Sequence, residues 1–203
     1  MKGKGKNYRR MHRDIDRFLE EFLFYSMSKL SSIVRYNTRT TIRKQNVLEH
    51  SGAVALIGMV FSDYFNQKGI RNDTEKVIRM ALIHDADEVV TGDIPHDAKY
   101  SQGQLSEEFR ASLGKLADSS LEFMLTMLEN EKMHDSYWEL LKEERNKSTL
   151  EAQIVKMADT ADAIIYSRGE ENIGNKALSD IHKKELVKIH KMADAIFEKY
   201  LKG

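Results

Sequence analysis

Apolar residues recur at spacings of three and four along most of the chain, the period expected of helices that bury one face. Pro95 is the only proline among 203 residues, and the alternating patterns typical of strands are scarce. The sequence therefore predicts an all-α fold. Composition changes nowhere and no Pro/Ser-rich linker is present, so we expect a single domain over residues 14–203.

The apolar spacing and the capping residues predict helices over about 14–33, 47–67, 74–90, 104–129, 135–145, 148–170 and 177–201. In the first helix we expect Ile15, Phe18, Phe22, Tyr25 and Leu30 to face inward. The basic segment MKGKGKNYRRMHR at residues 1–13 predicts a flexible, solvated arm, with polyanion binding as the alternative.

The charge balance and the absence of cysteine exclude several function classes. The 32 basic and 32 acidic side chains cancel, which gives no general reason to expect a nucleic acid or an anionic membrane as partner. Without cysteine there is no disulfide and no thiolate nucleophile. No apolar run approaches the roughly 20 residues that span a bilayer, so we expect a cytoplasmic protein.

His84 and Asp85 follow the apolar run VIRMALI, where an ionised carboxylate is costly unless it is paired or bound to a cation. Imidazole and carboxylate together suit divalent transition metals. Adjacent residues on a helix point about 100° apart, so both side chains could approach one ion from different directions. Two ligands do not complete a site, so others must come from elsewhere in the chain.

His50 and Asp159 are the candidates for the remaining ligands, because both lie in apolar helical segments. Asp194 repeats the KMAD context of Asp159 on a helix rich in Lys and Glu, where a solvated carboxylate needs no cation. A lone buried histidine is more often a hydrogen-bonded core residue than a ligand. A histidine, a His-Asp pair and an aspartate on three separate apolar helices are much less common by chance.

The order His50, His84-Asp85, Asp159 resembles the metal signature of the HD-domain phosphohydrolases. The blocks RTTIRKQNVLEHS, HDADEVVTGDIP and KMAD narrow the resemblance to the bacterial HD-type 5′-deoxynucleotidases, over about residues 25–178. These enzymes release phosphate from deoxynucleoside monophosphates, and related phage enzymes release triphosphate from deoxynucleoside triphosphates. The resemblance implies a single-domain, all-α HD fold and one divalent ion (Co, Mn or Zn) held by these four residues.

Glu88 is predicted to assist catalysis without binding the ion. On a continuous helix it would lie one turn after His84 and Asp85, on the same face. The family uses the matching glutamate in catalysis, so we expect Glu88 to act as an acid or base or to orient water. The alternative is a surface residue in the last turn of the helix.

The resemblance also implies a set of substrate-binding residues. The family has an arginine for the phosphate and an aromatic residue near the sugar where this chain has Arg35 and Tyr36. Asp93 matches the acidic residue that contacts the sugar hydroxyl, and Lys99 falls where the family has a lysine. Arg35 suits its role because a guanidinium makes paired hydrogen bonds to phosphate oxygens.

Two departures from the family pattern concern the nucleotide pocket. The aromatic position is usually tryptophan but is Tyr36 here, which affects discrimination between deoxyribose and ribose. After TGDIP the family reads Thr-Pro-Val, whereas this chain has His96, Asp97 and Ala98. We interpret His96 and Asp97 as pocket lining or surface rather than as a second metal site.

The leading prediction is metal-dependent hydrolysis of deoxynucleoside 5′-monophosphates. The first alternative is a deoxynucleoside triphosphate triphosphohydrolase, in which Arg39, Arg43 and Lys44 would bind the additional phosphates. A non-catalytic nucleotide-binding module and a purely structural helical protein are further alternatives. Relatives form dimers or larger assemblies, so the resemblance also implies a homo-oligomer.

Overall fold

The computed structural model describes the backbone of residues 2–95 and 104–201 and the side chains of residues 10–95 and 107–201. Within these ranges the secondary structure is helical, apart from one isolated antiparallel bridge between Val34 and Asn46. The predicted all-α fold class is confirmed. The helices are α1 Lys2–Arg17, a π-helix Phe18–Leu23, α2 Phe24–Ser32, α3 Val47–Gln67, α4 Thr74–Ile83, α5 Glu88–Thr91, α6 Gln104–Thr126, α7 Glu131–Asn146, α8 Leu150–Asn172 and α9 Ser179–Leu201.

The chain forms two compact units. One comprises Met1–Ile33 with Ala86–Trp138, and the other comprises Val34–Asp85 with Glu139–Gly203. The division into an arm at 1–13 and a domain at 14–203 stays a prediction. No helix in the described part of the chain is both long and apolar enough to cross a membrane.

The first unit begins with a longer helical segment than the sequence predicts. A helix was predicted over 14–33, whereas helical backbone runs from Lys2 to Ser32 with the π-helix in its middle. The prediction that Ile15 faces inward is wrong, since it lies on α1 before the π-helix and is 46% exposed. Leu30, on α2 after the π-helix, is buried as expected.

The second unit packs α3 against α4 and α8, and α8 against α9. Each of the first three helices has a side-chain cap at its start. Asn46 and Glu49 form a capping box on α3, Asp73 accepts from the Lys76 backbone N–H on α4, and Thr149 accepts from Ala152 on α8. These caps fix where α3, α4 and α8 begin.

Gly58 allows α3, α4 and α8 to approach one another closely. A Cβ atom at this position would lie 3.0 Å from Val77 Cγ1 and 3.7 Å from Ala158 Cβ. The fully buried Val54, Val77 and Ala158 belong to the same core. A larger residue at Gly58 would separate the helices that carry His50, His84 and Asp159.

The prediction of one helix over 74–90 is wrong, because the helix is interrupted. Helix α4 ends at Ile83, residues 84–87 form a turn, and α5 begins at Glu88. The His84 ring donates an Nδ1–H hydrogen bond to the Ala81 carbonyl oxygen at 2.8 Å, so this carbonyl has a partner at the helix end. The helical register that placed Glu88 on one face with His84 and Asp85 is therefore absent.

The loop between α2 and α3 is anchored to α8 by the fully buried Glu170. Its carboxylate accepts hydrogen bonds from the backbone N–H groups of Ile42 at 2.7 Å and Arg43 at 2.9 Å. The Asn175 side chain bonds both Glu170, at 2.7 Å, and the Thr40 carbonyl, at 2.9 Å. These bonds hold the loop that contains Arg35 and Tyr36 against the end of α8.

Candidate metal centre

His50 and His84 come together because α3 begins close to the point where α4 ends. His50 lies in the first turn of α3, four residues after the capping residue Asn46, and is completely buried. The His84 side chain is only 5% exposed. The two ring centroids are 5.2 Å apart, with an angle of 58° between the ring planes.

The carboxylate of Asp85 lies between the two imidazole rings. Its Oδ2 atom is 3.2 Å from His84 Nε2 and 3.4 Å from His50 Nε2. One ligand atom from each of these residues lies within 4.8 Å of the others. Donors bound tetrahedrally to one ion at about 2.0–2.1 Å are separated by about 3.3–3.4 Å, which is close to the two distances from Asp85 Oδ2 to the imidazole nitrogens.

The two Nε2 atoms provide a direct test of whether this cluster suits a cation. Both are buried, and among the described residues neither makes an aligned hydrogen bond. A buried polar atom without a partner is uncommon, and a bound cation would give both Nε2 atoms a partner. Two imidazole nitrogens and a carboxylate oxygen are also a donor set that divalent transition metals bind. The residues present therefore fit the metal that the family resemblance implies.

Asp159 on α8 approaches the cluster from the side of His50. Its Oδ1 atom is 3.4 Å from His50 Nε2, and its Oδ2 atom accepts a hydrogen bond from Lys156 Nζ at 2.6 Å. The structure thus brings three predicted ligands into mutual proximity and places the fourth beside one of them. Asp194, which is rejected as a ligand in the sequence analysis because its helix is polar, is exposed on α9.

The cluster attracts positive charge strongly. Burial and the nearby Arg35 both favour neutral His50, but the surrounding carboxylates of Asp159, Asp162 and Asp85 outweigh them and raise the pKa of His50 to about 10. Burial also opposes ionisation of Asp85, yet His84 and His50 hold its pKa well below the usual range. In the metal-free protein, protons on the imidazoles provide the positive charge that a cation would otherwise supply.

Arg35 lies beside the cluster, with a side chain that is 15% exposed. Its NH1 atom is 2.9 Å from Gln45 Oε1, 3.1 Å from Asp162 Oδ2 and 2.7 Å from His50 Nδ1. Its NH2 atom is 3.9 Å from Asp159 Oδ1. The predicted phosphate-binding arginine and the predicted ligands therefore occupy the same region of the second unit.

Tyr36 adopts an unusual backbone conformation next to Arg35. Its φ is 56°, in the left-handed region that non-glycine residues seldom occupy. Its ring stacks on Tyr166 with centroids 5.0 Å apart and planes within 4°, and the Arg35 guanidinium lies over it at 5.2 Å. Burial is the main reason that the pKa of Tyr36 rises to about 12, so its hydroxyl stays protonated at neutral pH.

The other predicted site residues lie outside the second unit or outside the described residues. Glu88 is buried and begins α5, and Asp93 follows Gly92 directly after that helix, both in the first unit. Lys99, His96 and Asp97 lie outside the described residues.

Sequence reasoning missed Asp162 and Gln45, which contact His50 and Arg35. Asp162 Oδ2 is 2.7 Å from His50 Nδ1, and Gln45 Nε2 donates to Asp162 at 3.0 Å. The position of Asp162, three residues after Asp159 on one helix, was a usable signal, because residues three apart share a face. Gln45 has no local signal, since its partner is 117 positions away.

Three of the four basic residues in the α2–α3 loop have partners outside the metal cluster. Arg39 pairs with Asp180 at 3.3 Å, and Arg43 Nε lies 3.8 Å from Glu170. Lys44 donates to Thr41 at 3.2 Å. Their charges are thus directed toward α8, α9 and their own loop.

Comparison with known proteins identifies the family. The model of the YfbR-like 5′-deoxynucleotidase family matches residues 22–202. A 5′-deoxynucleotidase from Klebsiella pneumoniae and the 5′-deoxynucleotidase YfbR from Salmonella typhi are each 32% identical over 157 residues, which are 77% of this chain and 76% of each relative.

A solved structure supports the same assignment. An HD-domain phosphohydrolase from Listeria innocua superposes with a TM-score of 0.66 at 27% identity, over 87% of this chain and 82% of that one. The predicted HD-domain fold and hydrolase class are confirmed, and HD phosphohydrolases are metal-dependent. The chain therefore belongs to the YfbR-like 5′-deoxynucleotidase family of HD-domain phosphohydrolases.

Proposed function

We propose that this protein hydrolyses deoxynucleoside 5′-monophosphates to the deoxynucleoside and phosphate with the help of one divalent metal ion. The observation that carries the proposal is the convergence of two buried, unbonded Nε2 atoms and the Asp85 carboxylate beside the Arg35 guanidinium. The names of the relatives, which are 32% identical, support the same substrate class.

His50 and His84 would hold the ion through their Nε2 atoms, and Asp85 and Asp159 through carboxylate oxygens. When bound, the ion supplies Lewis-acid activation of water and of the phosphoryl oxygens. The Lys156 ammonium bonds the other oxygen of Asp159, which leaves Oδ1 on the side of His50. This arrangement supports Asp159 as the fourth ligand.

Charge balance at the site favours an anionic substrate when a divalent ion has replaced the imidazole protons. Three carboxylates, those of Asp85, Asp159 and Asp162, then face the cationic Arg35 and Lys156 together with the ion. With neutral imidazoles the side chains alone are net negative, and the ion makes the cluster net positive, which favours a bound phosphate.

Arg35 would bind the phosphate oxygens. Gln45 and Asp162 hold its NH1 atom, and Nε and NH2 carry the remaining N–H donors. A guanidinium fixed in this way is pre-organised for paired hydrogen bonds to phosphate. Tyr36 and Asp93 are proposed to bind the sugar, and Glu88 to exchange a proton with water or with the leaving 5′ oxygen.

The partners of the basic loop support a monophosphate rather than a triphosphate. Additional phosphates would need additional cations, because each charged hydrogen bond contributes about 1.5–3 kcal/mol. Arg39, Arg43 and Lys44 instead bond Asp180, Glu170 and Thr41. The homo-oligomeric state and the cytoplasmic location stay predictions.

Product analysis tests the substrate assignment. The purified protein, supplied with Co²⁺ or Mn²⁺, is incubated separately with each deoxynucleoside monophosphate and triphosphate, and inorganic phosphate and triphosphate are quantified. We expect phosphate release from the monophosphates and a higher kcat/KM for them than for the matched triphosphates. Release of intact triphosphate as the main reaction would contradict the proposal and support the triphosphohydrolase alternative.

A further inference from the structure

Asp162 is a buried carboxylate that contacts three polar side chains. No role is assigned to it in the sequence analysis. It lies on α8 one turn after Asp159, and 3% of the residue is exposed. Its Oδ2 atom is 2.7 Å from His50 Nδ1, 3.1 Å from Arg35 NH1 and 3.0 Å from Gln45 Nε2. One carboxylate thus touches both a proposed metal ligand and the proposed phosphate-binding residue.

His50 Nδ1 has two competing partners. Asp162 Oδ2 and Arg35 NH1 are each 2.7 Å from it. A ligating imidazole is neutral and carries one proton, so Nδ1 either donates to Asp162 or accepts from Arg35. In the second case the proton sits on Nε2, which then has no lone pair for an ion.

We propose that Asp162 is a positioning residue that keeps the His50 proton on Nδ1 and draws Arg35 NH1 to its own carboxylate. It thereby leaves His50 Nε2 free to bind the ion and holds Arg35 ready for phosphate. This inference rests on the proposed function, because it takes His50 as a metal ligand and Arg35 as the phosphate-binding residue.

The charge of Asp162 is essential to this role. A carboxylate accepts both the Nδ1–H and the guanidinium N–H, whereas an amide attracts each of them more weakly. In Asp162→Asn the guanidinium loses its counter-ion and is free to donate to His50 Nδ1. Removing an outer partner of a ligating histidine typically weakens metal affinity by about 10–100-fold.

Metal binding is measured by calorimetric titration of the metal-free protein with Co²⁺ in a competing chelator, without any nucleotide. We expect Asp162→Asn to bind Co²⁺ about 10–100-fold more weakly than wild type. Asp194→Asn, on exposed α9, is the matched control and should bind like wild type. Wild-type affinity in Asp162→Asn would overturn the inference.

A double variant separates positioning from a general loss of structure. If Arg35 donates to Nδ1 once the Asp162 carboxylate is replaced, then Arg35→Met, which has no N–H donor, should restore part of the Co²⁺ affinity of Asp162→Asn. A double variant that binds no more tightly than Asp162→Asn would overturn the inference. Asp162→Ser, with the same Arg35→Met partner, provides a second pair if Asp162→Asn does not fold.

His50→Ala distinguishes a failure of this inference from a failure of the proposed function. If His50→Ala binds Co²⁺ like wild type, His50 is not a ligand and the proposed site is wrong. If His50→Ala loses the metal while Asp162→Asn keeps it, the site stands and only the role of Asp162 is refuted. KM for a deoxynucleoside monophosphate should rise in Asp162→Asn even at saturating Co²⁺, because Arg35 loses its support.

Discussion

The Nδ1 atom of His84 donates a hydrogen bond of 2.8 Å to the carbonyl oxygen of Ala81, one turn earlier in α4. A carbonyl only accepts, so in the neutral ring this bond fixes the proton on Nδ1 and leaves the lone pair on Nε2. The proposed role of Asp162 at His50 is the same, except that the acceptor there is a side chain and not the backbone. No single side-chain substitution at position 81 would remove the acceptor for His84.

Substitution of His84 should abolish tight metal binding. Loss of a ligand should cost more than the about 10–100-fold effect of losing an outer partner. Metal content after dialysis, measured by elemental analysis of His84→Ala, checks this. His190→Ala on the exposed face of α9 is the control and should retain metal. A fully loaded His84→Ala would show that the ion binds elsewhere.

Metal affinity should rise with pH. The pKa of His50 in the metal-free protein is about 10, above the ordinary 6.5, so an ion must displace a proton at neutral pH. The apparent affinity for Co²⁺ should increase by about tenfold per pH unit for each proton released. Chelator competition between about pH 6.5 and 8.5 measures this slope. An affinity that does not change with pH would contradict the raised pKa.

The raised pKa of His50 should make the stability of the metal-free fold fall with pH, whereas metal affinity rises with pH. A proton bound more tightly in the folded state stabilises it, fully below about pH 6.5, and this stabilisation is lost as the pH rises through about 10. Urea unfolding of the chelator-treated protein should therefore show declining stability on the alkaline side. His50→Gln, which cannot take up this proton, should show a smaller decline.

The ends of a helix could be predicted where residues close in sequence determine them. Helix α3 begins at Val47 and ends at Gln67 as predicted. The predicted signal for its end was Gly69, which follows the helix with a φ of 84°. The break at residues 84–87 contains no proline or glycine, so no local pattern indicated it. It arises where His84 turns back to the Ala81 carbonyl.

The residues around the proposed ligands were harder to predict, because their contacts join distant parts of the chain. His50 and Asp162 are 112 positions apart, and Arg43 and Glu170 are 127 apart. An apolar sequence context and the residue type are enough to predict a ligand such as His50. They cannot show which distant carboxylate bonds its second nitrogen, since this depends on how α3 and α8 pack.

Glu88→Ala should lose turnover and keep the metal. If Glu88 works as an acid or base, kcat should fall by about 10²–10⁴. Co²⁺ affinity should be unchanged, because Glu88 is not a proposed ligand. Glu107→Ala, on the exposed surface of α6, is the matched control and should retain wild-type kcat. A Glu88→Ala variant with wild-type kcat would refute the catalytic role.

Glu170 should stabilise the α2–α3 loop in a pH-dependent way. Burial alone would raise its pKa, but hydrogen bonds from Ile42, Arg43 and Asn175 outweigh burial and lower the pKa from 4.5. Its contribution to stability is therefore complete above pH 4.5 and is lost as the pH falls through the lower folded-state pKa.

Glu170→Gln should reduce the free energy of unfolding by about 1–3 kcal/mol near neutral pH, because buried backbone donors lose a charged acceptor. Urea unfolding near neutral pH and in acid measures the effect, with the neighbouring Glu171→Gln as control. The difference between Glu170→Gln and wild type should shrink in acid. A difference that grows in acid would contradict the lowered pKa.

The central claim is that one divalent ion, held by His50, His84, Asp85 and Asp159, is required to hydrolyse deoxynucleoside monophosphates. The most direct measurement is phosphate release from a deoxynucleoside monophosphate by chelator-treated protein during titration with Co²⁺. We predict no activity before metal is added, a rise that saturates at one bound ion per chain, and no recovery in Asp85→Asn at the same metal concentrations. Full activity of the chelated protein, or of Asp85→Asn, would contradict the account.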